Sequence, residues 1–178
     1  MTRRLKTALA VAVATLCTGS LLAGDRDDDR GRQKSRFFVH ATLEGYQEVP
    51  AISTTGKGRF RAWVDTVANT ITWKLSYDAL EGEVTQSHVH FGQMTANGGV
   101  SFFLCTNGGN GPAGTQLCPV GPAELTGVIT PDLVIGPAGT GIEPGAFDEI
   151  VAAIRNGTAY ANVHSAKWPA GEIRGQLH

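Results

Sequence analysis

A strict alternation of apolar and polar side chains is the feature that most constrains this fold. Apolar residues occupy positions 71, 73, 75 and 77, and Thr72, Lys74 and Ser76 lie between them. In a second segment, residues 59–64, Phe60, Ala62 and Val64 alternate in the same way with Arg59, Arg61 and Trp63. Successive side chains of a strand point to opposite faces, so this period of two predicts strands with one buried face.

Six further segments also predict strands, at residues 37–43, 84–91, 100–105, 124–129, 158–164 and 172–177. The chain has 23 glycines among 178 residues, which favours short strands joined by tight turns. Eight such strands indicate an all-β antiparallel sandwich or barrel. The apolar sides of these strands give the predicted core: Trp73, Leu75, Tyr77, Val89, Phe91, Phe103, Ala161 and Val163.

One segment departs from the strand pattern. Phe147, Ile150, Val151 and Ile154 are spaced as on a helix, and Gly157 follows them. We therefore expect one short helix at residues 145–156, lying over one end of the sandwich.

The N-terminal region predicts an exported protein. Basic residues precede an apolar run at residues 8–16, and small residues follow, which is typical of a secretory signal peptide at residues 1–24. A membrane anchor is the alternative, but polar residues interrupt the run before it reaches the length of a span. Residues 25–36 are polar and of mixed charge and predict a disordered linker, which leaves residues 37–178 as the folded domain. We expect a secreted or periplasmic protein with no stable membrane span after cleavage.

Two cysteines, Cys105 and Cys118, fall within the predicted domain. Disulfides persist in exported proteins, so we expect these residues to pair and to close the Gly-rich loop between them. The alternative is a pair of free thiols that bind a metal, but no second pair or histidine lies nearby in the sequence.

Composition also limits the partners and the chemistry. A formal net charge of −1 does not provide the excess of cations that binding to phosphate backbones needs, so no nucleic-acid partner is expected. The sequence shows no arrangement of Ser, His and Asp or of Cys and His typical of nucleophilic catalysis, and no phosphate-binding loop. No catalytic residue is assigned, and the partner is expected to be a metal ion or an unknown extracytoplasmic protein.

Histidines provide the most informative chemistry. His88 and His90 lie two residues apart on a predicted strand, so both imidazoles point to one face. On another strand, Tyr160, Asn162 and His164 share the polar face. If the two strands are neighbours, three imidazoles can converge on one metal ion.

Copper is the favoured metal for such a site, with zinc or no metal as alternatives, because divalent copper outcompetes other first-row metals for nitrogen ligands. Asn162 and Tyr160 are candidates for orienting the liganding imidazoles. His40 is a candidate for an extra ligand, and a solvated histidine at the start of a strand is the alternative.

Five motifs in order, after the linker, resemble the CHRD domain, a family named after chordin. They are Leu43 to Pro50, Thr55 to Gly58, Ser87 to His90, Gly157 to Ser165, and Gly171 to Leu177. The resemblance implies an immunoglobulin-like β-sandwich, related to that of the copper-zinc superoxide dismutases. It implies no settled function for the bacterial members.

The dismutase relationship can be compared residue by residue. His88 to Gly92 is similar to the copper-binding segment of that family, and His164 resembles its late copper ligand. No histidine lies between His90 and His164, so the bridging ligand and the zinc ligands have no counterpart. Arg174 is similar to the arginine that guides the anionic substrate, but a salt bridge to Glu172 or Glu48 would also explain it. The sequence thus gives little support for dismutase activity and leaves two classes: a three-histidine metal-binding module, or a binding or structural module without metal.

Overall fold

The computed structural model describes residues 35–178, and the predicted signal peptide and nearly all of the predicted linker lie outside them. Three short 3-10 turns lie at Gly45–Gln47, Pro131–Leu133 and Ala138–Thr140, and one helix, α1, spans Phe147–Arg155. The eight strands are β1 (Arg36–Glu44), β2 (Lys57–Asp65), β3 (Thr70–Asp78), β4 (Val84–Phe91), β5 (Gly99–Thr106), β6 (Ala123–Ile129), β7 (Ala159–Ser165) and β8 (Ile173–Gln176). Every predicted strand and the predicted helix are present, and the all-β class is confirmed.

All eight strands pair in one antiparallel sheet, in the order β5-β4-β7-β8-β1-β2-β3-β6. The sheet curls into a nearly closed sandwich or barrel, and its end strands are β5 and β6. This order makes β4 and β7 direct neighbours, as the metal-site hypothesis required, and places β8 on the other side of β7.

Loop residues fill the gap between the two end strands. The Gln116 side-chain amide donates to the carbonyl oxygens of Leu104 on β5 and Thr126 on β6, at 3.2 and 3.1 Å. The predicted disulfide between Cys105 and Cys118 is present and fixes the same loop to β5. The two ends of the sheet are therefore joined through side chains rather than through a backbone ladder.

The apolar core lies on the inner face of the sheet and beneath α1. Trp73, Leu75, Tyr77, Val89, Ala161 and Val163 are buried as predicted, and Phe91 is partly buried against the same core. The helix contributes Phe147, Ile150, Val151 and Ile154 to this core. It ends where Gly157 adopts the left-handed conformation at φ +65°, which glycine reaches without steric cost.

The prediction for Phe103 is wrong. Phe102 and Leu104 enter the core, while Phe103 lies on the outer face with its ring edge-on to His88. The register between β4 and β5 shifts at two places, so that Val89 pairs with Phe102 and His88 pairs with Phe103. Such bulges turn a side chain to the opposite face, and the simple alternation does not foresee them.

Strands β7 and β8 are buried on both faces. Their inner face packs on the core, and their outer face carries polar side chains that contact residues 92–98 and the Pro169 carbonyl. This covering turns a polar sheet face into a second buried layer. Within residues 35–178, no helix is long and apolar enough to cross a membrane.

Candidate metal centre

The three predicted histidines meet on the outer face of the sheet. His88 and His90 project from β4, and His164 projects from the adjacent strand β7. All three side chains are buried, with 2%, 7% and 6% of their surface exposed, respectively. A polar group that is buried this deeply usually has a partner, so the contacts of each nitrogen are informative.

The imidazole nitrogens lie close enough to share one ion. One nitrogen of each histidine lies within 4.8 Å of the corresponding nitrogens of the other two. The His88 ring centroid is 5.3 Å from that of His90 and 5.0 Å from that of His164. Among residues 35–178, this is the one group of three metal-ligating side chains.

Backbone carbonyls orient two of the three rings. The Nδ1 of His90 donates to the Gly98 carbonyl oxygen at 2.9 Å, and the Nδ1 of His164 donates to the Pro169 carbonyl oxygen at 2.9 Å. A neutral imidazole that donates through Nδ1 has a free lone pair at Nε2. Metal-binding histidines commonly have this arrangement, because the second hydrogen bond fixes both the tautomer and the ring orientation.

Several of the remaining nitrogens have no partner. The Nε2 of His90 and both ring nitrogens of His88 are buried without a hydrogen bond. The Nε2 of His164 lies 3.1 Å from the Oδ1 of Asn162, where two acceptors face each other if Nδ1 carries the proton. Leaving a buried acceptor unpaired costs about 1–3 kcal/mol, so this cluster is costly for the fold unless a cation binds there.

Burial keeps the cluster neutral. Desolvation is the main cause that lowers the pKa of His88 to about 2, and the nearby His164 and His90 lower it further. Desolvation also lowers the pKa of His90 to about 4, although the hydrogen bond to Gly98 opposes the shift. The pKa of His164 is lowered by burial as well. Near neutral pH all three imidazoles therefore have the unprotonated form that metal binding requires.

A buried carboxyl group lies close to this cluster. Glu48 is 6% exposed, and burial raises its pKa to about 7, against the opposing effects of the Arg174 charge and the Asn162 side chain. Its Oε1 has no hydrogen-bond partner. Gly171 lies so close to the carboxylate that a Cβ at this position would collide with it. The sequence named Glu48 only as a candidate salt-bridge partner of Arg174 and gave no sign of its burial.

Arg174 holds the loop that covers the histidines. Its guanidinium donates to the carbonyl oxygens of Gln93, Met94 and Ala96 and to the Oδ1 of Asn97. The side chain is 1% exposed, and its guanidinium carbon lies 3.4 Å from the centroid of the Tyr160 ring.

The same loop supplies the Gly98 carbonyl that orients His90, and the Gly98 N–H donates to the Tyr160 hydroxyl at 3.0 Å. The donors of Arg174 are thus used to hold the loop and are not directed toward an anionic substrate. No sequence signal marked residues 93–98 as part of the site.

Of the other predicted site residues, the structure brings Asn162 and Tyr160 to the histidines but not His40. Asn162 and Tyr160 contact the histidines, Tyr160 through a parallel stack on His90 at 4.7 Å. His40 is exposed on β1, and β7 and β8 separate β1 from β4, so the structure does not bring it into the group. Glu172 does not pair with Arg174; it accepts hydrogen bonds from the Thr54 hydroxyl and the Glu81 N–H.

Comparisons with known proteins identify one family. The family model of the CHRD domain matches residues 39–177, which include all eight strands except the first three residues of β1. Searches of curated proteins and of solved structures return no match. The matched region contains the three histidines, Glu48, Asn162 and Arg174, so the site described above lies entirely within it. The chain therefore belongs to the CHRD domain family.

Proposed function

We propose that this CHRD-domain protein is exported and binds one transition-metal ion, with copper favoured, through His88, His90 and His164. The observation that carries the proposal is the group of three buried, mutually facing imidazoles whose inward nitrogens have no protein donor.

The distances fit a metal after a small adjustment. Nitrogens bound to one tetrahedral ion at about 2.0–2.1 Å lie roughly 3.4 Å from each other. The three nitrogens here lie within 4.8 Å of one another, so side-chain rotations of about an ångström at the ring would complete the set. The Nδ1 hydrogen bonds of His90 and His164 already aim each Nε2 away from the backbone.

The donor set favours a metal that prefers nitrogen. Three neutral imidazoles suit copper and zinc, and divalent copper is the stronger competitor of the two. No thiolate belongs to the group, because Cys105 and Cys118 are joined to each other. Three protein ligands leave a coordination position for water or another small ligand, which is typical of exchangeable sites rather than closed structural ones.

Metal titration of purified single variants tests the proposal. Cu²⁺ and Zn²⁺ are titrated by calorimetry into the wild type and into His88→Ala, His90→Ala and His164→Ala, with His40→Ala as the matched control. Loss of one of three imidazole ligands is expected to weaken binding at least about 100-fold, and His40→Ala is expected to bind as the wild type does. Equal affinity in all five proteins would favour the alternative class, a binding or structural module without metal.

Export is tested separately. Mass spectrometry of the protein recovered outside the cytoplasm is expected to show an N-terminus created by cleavage near residue 24. An intact Met1 on protein recovered from the cytoplasm alone would contradict this part of the proposal.

A further inference from the structure

The outer face of β1, β2 and β3 concentrates the positive charge of the domain. Residues 35–178 contain eight lysines and arginines and twelve aspartates and glutamates, so the domain is acidic overall. Five of those eight cations project from this face and are exposed: Arg36, Lys57, Arg59, Arg61 and Lys74. The strands also carry Glu44, Asp65 and Asp78 on this face, but the strand register places these acidic residues in its two end rows. We call the outer surface of these three strands, with the neighbouring residues of β6, the basic face.

Two aromatic rings lie beside these charges. Phe38 and Trp63 are cross-strand partners on β1 and β2, with ring centroids 5.2 Å apart and with 43% and 47% of their surface exposed. The Arg36 guanidinium lies 5.3 Å from the Trp63 ring centroid. Large exposed rings in contact with one another suggest a stacking platform rather than an incidental surface residue.

Acidic residues are absent from the middle of the basic face. The strand register places Phe38, Trp63, Thr72 and Val128 in one row across the sheet, and His40, Arg61, Lys74 and Thr126 in the next. Neither row contains an Asp or Glu, and the next row, which contains Arg59, has one acidic residue, Glu124, at its β6 end. Lys74 pairs with Glu124 at 2.6 Å, whereas the ion pairs of residues 35–178 do not include Arg59 or Arg61. These two guanidinium groups are therefore available to a ligand.

We propose that the basic face binds an acidic polysaccharide. Pyranose rings present apolar C–H faces that stack on Trp63 and Phe38, and carboxylate or sulfate groups accept paired hydrogen bonds from Arg59 and Arg61. The rings and the arginines lie in adjacent rows of an exposed sheet face, where an extended chain of sugars can contact both. This site is independent of the three histidines and of whether they bind metal.

Other occupants fit the basic face less well. A second copy of the chain, docked through a two-fold axis, would place the same arginines opposite each other, and like charges at an interface are costly. Duplex DNA carries one charge per about 1.7 Å, and the excess of acidic residues elsewhere in the domain would repel it more strongly than a polymer with one charge per sugar. The exposed rings are also better matched by sugars than by phosphates.

Affinity electrophoresis or calorimetry with polygalacturonate, which carries one carboxylate per pyranose, tests the proposal. Neutral dextran provides sugar without charge, and poly-aspartate provides charge without sugar. The variants are Trp63→Ala and the double substitution of Arg59→Gln with Arg61→Gln. Tyr46→Ala removes an exposed aromatic residue elsewhere, and Lys167→Gln removes an exposed cation elsewhere. All substituted side chains are exposed, so the variants are expected to remain folded.

We expect polygalacturonate to bind at least roughly tenfold more tightly than either comparison polymer, with weakening as salt increases. Each basic-face variant should lose roughly tenfold in affinity, and the two controls should lose none. Absence of binding, equal binding of poly-aspartate or dextran, or preferential binding to duplex DNA or to phosphatidylglycerol vesicles would overturn the proposal. The proposal would also be overturned if Tyr46→Ala and Lys167→Gln lost as much affinity for polygalacturonate as the basic-face variants do.

Discussion

The Tyr160 ring lies between the guanidinium of Arg174, 3.4 Å from its centroid, and the imidazole of His90, stacked in parallel at 4.7 Å. The three residues belong to the adjacent strands β8, β7 and β4, so the stack crosses the buried polar face of the sheet. The loop held by Arg174 also provides the carbonyl that orients His90. Removing the guanidinium should therefore affect both the stability of the domain and the geometry of the candidate metal centre.

We predict that Arg174→Met lowers the free energy of unfolding by about 3 kcal/mol, because four acceptors of the loop lose the donor that holds it. Urea denaturation measures this loss, and the exposed Arg61→Met should stay within about 0.5 kcal/mol of the wild type. In Arg174→Lys, NMR of the metal-free protein should show faster exchange of the His90 Nδ1 proton. If Arg174→Met lost no more stability than Arg61→Met, the loop would have to be held by other contacts.

The metal-free protein should lose stability as the pH falls below about 6.5. The folded-state pKa values of His88 and His90 lie near 2 and 4, whereas an unfolded histidine titrates near 6.5. Below pH 6.5 the unfolded chain therefore binds more protons than the folded chain. The contribution of each histidine to the free energy of unfolding is fully present above the unfolded pKa of about 6.5. Between pH 7.5 and pH 5 this contribution should fall by about 2 kcal/mol for each of the two histidines.

Chemical denaturation at several pH values, with a chelator present, measures this dependence. His88→Gln should reduce the slope of the free energy of unfolding against pH by about one proton, and the exposed His40→Gln serves as the histidine control. An identical slope in wild type and His88→Gln would show that His88 is protonated in the folded protein at mildly acidic pH.

Glu48 should have the opposite effect. Its folded-state pKa is raised to about 7, so between the unfolded value of 4.5 and pH 7 the folded chain binds more protons. Its contribution to stability is present at low pH and is lost as the pH rises toward 7. Glu48→Gln remains neutral, so its stability relative to the wild type should increase by about 2 kcal/mol from pH 5.5 to pH 8. A constant difference over this range, measured by urea denaturation, would mean that Glu48 is ionised throughout.

Reduction of the disulfide should destabilise the domain without removing its core. Cys105 and Cys118 are separated by 13 positions, and a closed loop of this size contributes about 3 kcal/mol. The double variant Cys105→Ser with Cys118→Ser should lose about this amount and become insensitive to reductant. Mass measurement after thiol labelling, with and without prior reduction, checks the bond in the wild type. Two labelled thiols under oxidising conditions would contradict the pairing.

The sequence predicted the strands and the facing of the histidines because both depend on a local period of two. Val89 is fully buried and the two flanking imidazoles lie on the opposite face, as the alternation requires. The burial of those imidazoles was not predictable in the same way. It depends on residues 92–98, which have no periodic pattern and are held through Arg174, a contact that spans about 80 positions in the chain. Phe103 was assigned to the wrong face for a related reason. The bulges between β4 and β5 depend on how the two strands pair, which the local sequence does not reveal.

Gln116 has a consequence for how this protein behaves in a crowded solution. An end strand of an open sheet presents a row of free N–H and C=O groups on which another chain can add a strand. Here the Gln116 side-chain amide donates to one carbonyl oxygen on each end strand, and the disulfide fixes the loop that carries Gln116 to β5. This junction occupies part of each strand edge, so the intact domain should resist amyloid-like self-association better than one whose end strands are fully open. Reduction of the disulfide would release this loop and expose the edges of β5 and β6, on which another chain can add a strand.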